Sequence, residues 1–417
     1  MASGKRQKLI RSSQKNWKLK NPSQKWYWIY DMASIGAELV GVRVFTTNQR
    51  TLYSYTTAFF QCICVLSMLN AFIHYASNGQ IFHGLRGFGV SAILVPLLFV
   101  YWITIGPDRF ETKKMIIYGG RYVYKTHGES MKWNLFYRQS IDKLVKSISI
   151  VLSLNVISYS ITGIQFLVML IIFGERINVV GMIVPFTDDT TDKGYYFNMI
   201  VQIGCFLEGM CGNFSSECVA CIFNNTITAM AEIVQLKVED LNEILNSTEP
   251  MNANQISLKR IEIKARIRDI LIHIQDFDRY LLGVRSLTYG NTVVSVMRKN
   301  KDRASSFSNF TKYQWYIPMG IHPVGYTIAF GAFVQLMIVC STGQNAENSN
   351  NKISKALYNI QWYNLDPVLR KDLAHMLQRT QNGVTLTVGP FYTLNMRAAA
   401  MFTNRIYSFV TLLLKFI

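Results

Sequence analysis

The chain has 417 residues, of which 50% are hydrophobic and only 16% charged, with a mean hydropathy of +0.15. Soluble domains carry about 25% charged residues, so the composition excludes an ordinary soluble globule and points to an integral membrane protein. The net charge of +18 fits cytoplasmic loops that collect Lys and Arg better than a nucleic-acid surface, and no nucleic-acid partner is expected.

Residues 1–50 form a basic N-terminal tail with Trp17, Trp26, Tyr27, Trp28 and Tyr30, residues suited to a membrane interface. It has no early apolar core, so no cleaved signal peptide is expected. Residues 33–45 are largely apolar but too short to span, as in a re-entrant or interfacial helix. Residues 51–225 hold four candidate spans: 54–76, 88–105, 145–173 and 195–223. The third is the clearest, because residues 147–173 include no formal charge in 27 positions. A bilayer core of about 30 Å takes about 20 apolar residues in a helix, and a lone helix satisfies its own backbone there.

From 226 to 280 the pattern turns amphipathic and charged, broken near 246–257. Apolar residues recur at Ile263, Ile267, Ile270, Leu271, Ile274 and Phe277, the spacing of one helix face. Residues 281–340 hold a weak fifth span, 281–297, which includes Arg285, and a convincing sixth, 317–340. A further projecting helix is expected at 351–381 within the segment 341–381. The last apolar run, 386–417, lies in the segment 382–417 and carries Arg397 and Arg405.

Charge between the spans sets the topology. The first 50 residues hold ten Lys/Arg against two acidic residues, 107–144 hold eight against four, and 174–194 hold two against four. The N-terminus, the polar connector 107–144 and the helices of 226–280 are therefore expected in the cytoplasm. Charge leaves the fifth span open: if it crosses, the basic segment 298–312 faces outside, and if it does not, the count is six.

Motifs for catalysis are lacking. The six histidines are scattered, and no HExxH, phosphate loop or paired intramembrane carboxylate occurs. Cys218 and Cys221 form a CxxC inside an apolar stretch without a second pair, so no metal site, cofactor or enzyme activity is expected. Glu208 is read as a carboxylate deep in a convincing span and therefore a functional candidate, with simple pairing to a neighbour such as Arg285 as the alternative. Asp278-Arg279-Tyr280 matches a tripeptide of G-protein-coupled receptors, but it follows the fourth span, and chance accounts for it better.

The C-terminal third carries an ordered string: 333–340 (FVQLMIVC), Gly343, 356–358 (ALY), Trp362-Tyr363, Arg370-Lys371 and 407–413 (YSFVTLL). This string resembles insect odorant receptors over about 85 residues, 333–417, with hydropathy alone agreeing elsewhere. The resemblance implies an all-α membrane protein of seven transmembrane helices with a cytoplasmic N-terminus, an extracellular C-terminus and a cytoplasmic helical anchor. It implies an odorant-binding subunit of a ligand-gated, non-selective cation channel, a heterotetramer with a co-receptor subunit, in the cell membrane of a sensory neuron dendrite. The polar stretch 296–316 departs from the family's usual fifth span. The alternatives are a gustatory receptor of the same superfamily, a G-protein-coupled receptor, and a transporter, for which no internal repeat is found.

Within that reading, Arg405, Ser408, Leu412 and Phe416 share one helix face and form the candidate pore; packing against another span is the alternative. A small volatile ligand needs a mostly apolar cavity with few polar contacts. The candidate lining is Phe88, Ser91 and Val95; Tyr159, Thr162, Gly163 and Phe166; Tyr196, Met199 and Ile203; and Tyr326. Ordinary helix packing competes at each of these positions. Asn309 is an expected glycosylation acceptor, whereas the sequons at Asn224 and Asn246 are expected to stay bare.

Overall fold

The computed structural model describes residues 22–39, scattered positions within 59–77, 109–125, 127, 130–171, 183–187, 191–246, 253–286, 323–388 and 392–414, with the backbone alone at some helix positions. The expected second span, most of the fifth, and the residues Phe88, Ser91, Val95, Asn309 and Phe416 lie outside the described residues.

Helix dominates the described residues: α1 (Pro22–Leu39), α2 (Arg109–Val123), α3 (Met131–Ile171), α4 (Asp192–Asn246), α5 (Ala253–Arg285), α6 (Pro323–Tyr358), α7 (Pro367–Gln381) and α8 (Met396–Leu414). A short 3-10 turn, Trp362–Asn364, joins α6 to α7. Strands β1 (Thr387–Val388) and β2 (Tyr392–Thr393) pair antiparallel before α8, with Thr387 opposite Thr393.

Helix α4 is the axis of a bundle, touching α1, α2, α3, α5 and α6. Its 55 residues change character along their length. Near its start Tyr196, Phe197, Ile200, Ile203 and Leu207 are exposed, up to 69% at Ile200, an apolar face suited to lipid. Beyond Ser215, Ile227, Met230, Val234, Val238, Leu241 and Leu245 recur every three or four residues and are buried. Opposite them α5 buries Ile267, Ile270, Ile274 and Phe277 and α6 buries Ile353 and Leu357, while α7, which touches α6 and α5, buries Leu369, Leu373 and Met376. Each such side chain contributes about 1.5–3 kcal/mol on burial.

By length and composition two described helical stretches suit a bilayer, Met131–Ile161 and Glu217–Asn246. Burial separates them. The first is 17% buried and the second 56%, so the second is the core helix of the protein bundle. The exposed apolar part of α4 is its first half.

Several boundaries differ from the expected ones. Trp26 is 3% exposed inside the bundle, with Ile29 and Ala33, so this part of the tail packs on protein. Its helix begins at Pro22, where a missing N–H costs nothing. The connector 107–144 is mostly helix, and it buries Ile116, Val123, Trp133, Phe136, Ile141 and Leu144. The helix expected at 351–381 is divided: α6 runs on to Tyr358 and α7 starts at Pro367. The Asp366 carboxylate ahead of α7 is held by Arg260 of α5 at 2.9 Å and makes no side-chain cap. The run from 386 opens as the strand pair, and its helix begins only at Met396.

Candidate functional site

Helices α3 and α4 leave the bundle together, and a polar contact holds them where the surroundings become apolar. The Asn155 amide on α3 donates to the Glu217 carboxylate on α4 and to the Val151 carbonyl, the latter at 3.1 Å. Glu217 is 6% exposed. Two residues earlier on α4, Ser215 donates to the Ala33 carbonyl of α1 at 3.2 Å. Three helices are thus bonded at one level, which fixes the rotation of α3 against α4.

From Asn155, the residues at i+4, i+7, i+8 and i+11 are Tyr159, Thr162, Gly163 and Phe166, all on the same helix face. Tyr159 is half-buried; the Thr162 and Phe166 side chains are not described. A Cβ placed on Gly163 would meet nothing within 4 Å, so this glycine borders open space. On α4, Tyr196 and Ile203 are exposed and Met199 is half-buried. Tyr326 lies in α6, its side chain not described.

Above α4 the segment 183–187 is strapped down. Asn198, wholly buried, accepts from the Val184 N–H at 2.7 Å and donates to the Thr187 hydroxyl at 3.0 Å. The Ile183 N–H donates to the Ser67 carbonyl at 3.2 Å, and Asn70 returns a bond to the Ile183 carbonyl. This strap holds Phe186 fully exposed at φ 66°, a conformation rare for a bulky residue. The apolar helix faces are thereby bounded at one end by a loop and at the other by the Asn155–Glu217 level.

At the end of the chain, α8 buries Ala398 and Ala399 and exposes Met401, Asn404, Arg405 and Ser408. The Ser408 hydroxyl donates to the Asn404 carbonyl at 2.9 Å. Leu412 lies in the same helix, its side chain not described. Gly343 of α6 lies against Leu394, with no room for a side chain between α6 and the turn into α8.

Two features escaped the sequence. The side chain of the expected carboxylate, Glu208, is not described, whereas Glu217 makes the interhelical bond; its signal in the sequence is Asn155, a primary amide within a charge-free span. His127 and His273, 146 positions apart in the numbering, meet with ring centroids 5.3 Å apart. Asp278 of the tripeptide pairs with Arg379 of α7 at 2.8 Å, a structural ion pair. Among the described residues no group of three or more His, Cys, Asp or Glu is placed to hold a metal ion.

Described residues that are almost entirely helical, with long helices running from an apolar, outward-facing half into a buried bundle, define a multi-span membrane protein. Residues 136–407 match the 7tm odorant receptor family, and the chain belongs to that family. A Drosophila melanogaster relative provisionally named odorant receptor 83c is 22% identical over 338 residues, covering 79% of each chain. Odorant receptor 22c of the same species is 32% identical over 98 residues, 24% of each chain. The fold is shared with the insect olfactory receptor OR5 of Machilis hrabei: TM-score 0.64 at 12% identity, covering 94% of this chain and 98% of that one. With the OR5 structure in complex with eugenol the TM-score is 0.67, again at 12% identity, covering 95% and 100%.

Proposed function

We propose that this odorant receptor is the odorant-binding subunit of a ligand-gated, non-selective cation channel that assembles as a heterotetramer with a co-receptor. It sits in the cell membrane, the dendrite of a sensory neuron being its expected place. The amino end and the helical bundle face the cytosol and the carboxyl end faces outside. The observation that carries the binding reading is the bounded apolar face of α3 and α4, with Tyr159, Thr162, Gly163 and Phe166 on one side of α3 and open space at Gly163. Such a face suits a small volatile with one polar group. The eugenol complex of the similar receptor supports a ligand of that class.

In this reading the odorant acts by binding one arrangement of α3 and α4 more tightly than another, and the difference in affinity sets how far the channel equilibrium moves. The bundle of α4, α5, α6 and α7 carries assembly, and α8 lines the path. Four such faces, one from each subunit of the heterotetramer and with Leu412 and Phe416 contributed by this chain, form an apolar constriction. A ring of four guanidinium groups opposes cations, so Arg405 either points away from the ion path or comes from a minority of the subunits.

The test is to express the chain with the co-receptor and record currents across an odorant panel that includes eugenol. Fast inward currents that persist when G-protein signalling is blocked support the channel. Currents abolished by the block support a G-protein-coupled receptor, and silence to volatiles with responses to tastants supports a gustatory receptor.

A further inference from the structure

Helices α2, α3, α4 and α5 meet at a compact set of titratable side chains that the odorant reading does not use. His273 of α5 bonds through Nδ1 to the Tyr122 hydroxyl of α2, and its Nε2 lies 3.5 Å from Asp269. Asp269 is already engaged by the Lys237 ammonium of α4 at 3.0 Å. Lys237, buried at 8% exposure, also donates to the His127 carbonyl at 3.3 Å and lies over the Trp133 ring of α3. His127 sits in the turn between α2 and α3. Its Nε2 donates to the Tyr122 carbonyl at 2.7 Å, while its own N–H donates to the Tyr137 hydroxyl of α3 at 2.9 Å.

We propose that this four-helix junction is a proton-sensing contact, in which acidification of the solution bathing the bundle releases the α2–α3 turn from α4 and α5.

The chemistry follows from the bonding. With Nε2–H directed to Asp269, the Nδ1 lone pair of neutral His273 accepts the Tyr122 proton; a proton added at Nδ1 removes that acceptor. His127 uses Nε2–H on the Tyr122 carbonyl, so its added proton goes to Nδ1. Each addition puts a positive charge beside the other imidazole and Lys237. The facing carboxylates are already shared: Asp269 with Lys237, and Asp276 with Arg279 at 3.0 Å. Lys125 adds to the positive side, and Tyr118, Tyr122 and Tyr137 stay neutral hydroxyls, their pKa values raised chiefly by burial. Burial pushes His273 down to about 4, with Asp269 opposing and His127 and Lys237 reinforcing; burial also holds His127 below its ordinary value.

A base held low in the packed state stabilises that state at neutral pH and loses the benefit as pH falls from about 6.5 toward the packed value. Between pH 7.4 and 6.0, one imidazole that titrates near 6.5 when released and well below 6 when held shifts the balance about fourfold toward release.

The cytosolic side rests on the orientation proposed above; the first measurement does not. In the purified full-length chain, exchange of the histidine C2 hydrogen followed by mass spectrometry reads each imidazole separately. His127 and His273 should titrate below 6.5 and exchange more slowly than exposed His375. Midpoints at or above 6.5 for both would overturn the proposal. With the co-receptor present, lowering cytosolic pH from 7.4 to 6.0 through the recording pipette should reduce the odorant current, by at most about fourfold for each imidazole that titrates. The variant H127Q/H273Q, or H273Q alone if the double variant is not expressed, should lose at least half of that response. Equal pH responses in variant and parent would overturn it. If no current is obtained with any variant, thermal melting of the same chains at the two pH values decides: a fall blunted in the variant supports the junction, and an equal fall overturns it.

Discussion

The Asn155 amide of α3 donates to the Glu217 carboxylate of α4 at the level where both helices pass from the bundle into apolar surroundings. A carboxylate at that depth is expensive, and removing it leaves the amide without its interhelical acceptor. Glu217→Leu should lower stability by about 1–3 kcal/mol, whereas Glu217→Gln, which keeps a carbonyl acceptor, should lose less than half of that. Melting of the full-length protein measures both, and equal losses would show that the bond does not hold the helices.

Gly163 faces open space. Gly163→Ala should leave the fold intact or stabilise it by up to about 1 kcal/mol through helix propensity. If that space is the odorant cavity, the added methyl should change relative potency across an odorant series at unchanged surface expression. Dose–response curves for three odorants of different size give the comparison, and a uniform shift would place the space outside the cavity.

The Asp278–Arg379 pair ties α5 to α7, with the carboxylate 11% and the guanidinium 50% exposed. Because the arginine reaches water, its removal should cost about 1–2 kcal/mol, less than the loss of a fully buried pair. Arg379→Ala should therefore lower the melting point while leaving odorant rank order unchanged. Arg379→Lys should recover part of the loss, since the charge returns without the planar geometry.

Three sequons read the topology. Asn224 accepts from the Asn345 amide at 2.7 Å within the bundle and should be bare on packing grounds alone. Asn246, exposed and bonded to Gln361, is sterically open. Glycan mapping should find it unmodified and Asn309 modified; a glycan on Asn246 would reverse the proposed orientation.

The sequence anticipated helix over 145–171 and 195–223 and the division between α4 and α5, because an apolar run and a proline-bearing segment are both local signals. Hydropathy misplaced helix ends. Composition changes at the lipid boundary while the hydrogen-bond ladder does not, so α3 starts 14 residues before the apolar run at 145 and α4 continues through Asn246. The division between α6 and α7 was legible in Asp366-Pro367 but was masked by the amphipathic pattern on either side. Glu217 and the histidine pair were hidden for another reason: their partners lie 62 and 146 positions away, and no local pattern records such contacts.

The proposed channel requires one direction of threading through the bilayer, with the bundle inside the cell and α8 ending outside. An epitope appended after Ile417 should be stained on intact cells expressing the chain with its co-receptor. Staining that appears only after the cells are permeabilised would contradict it.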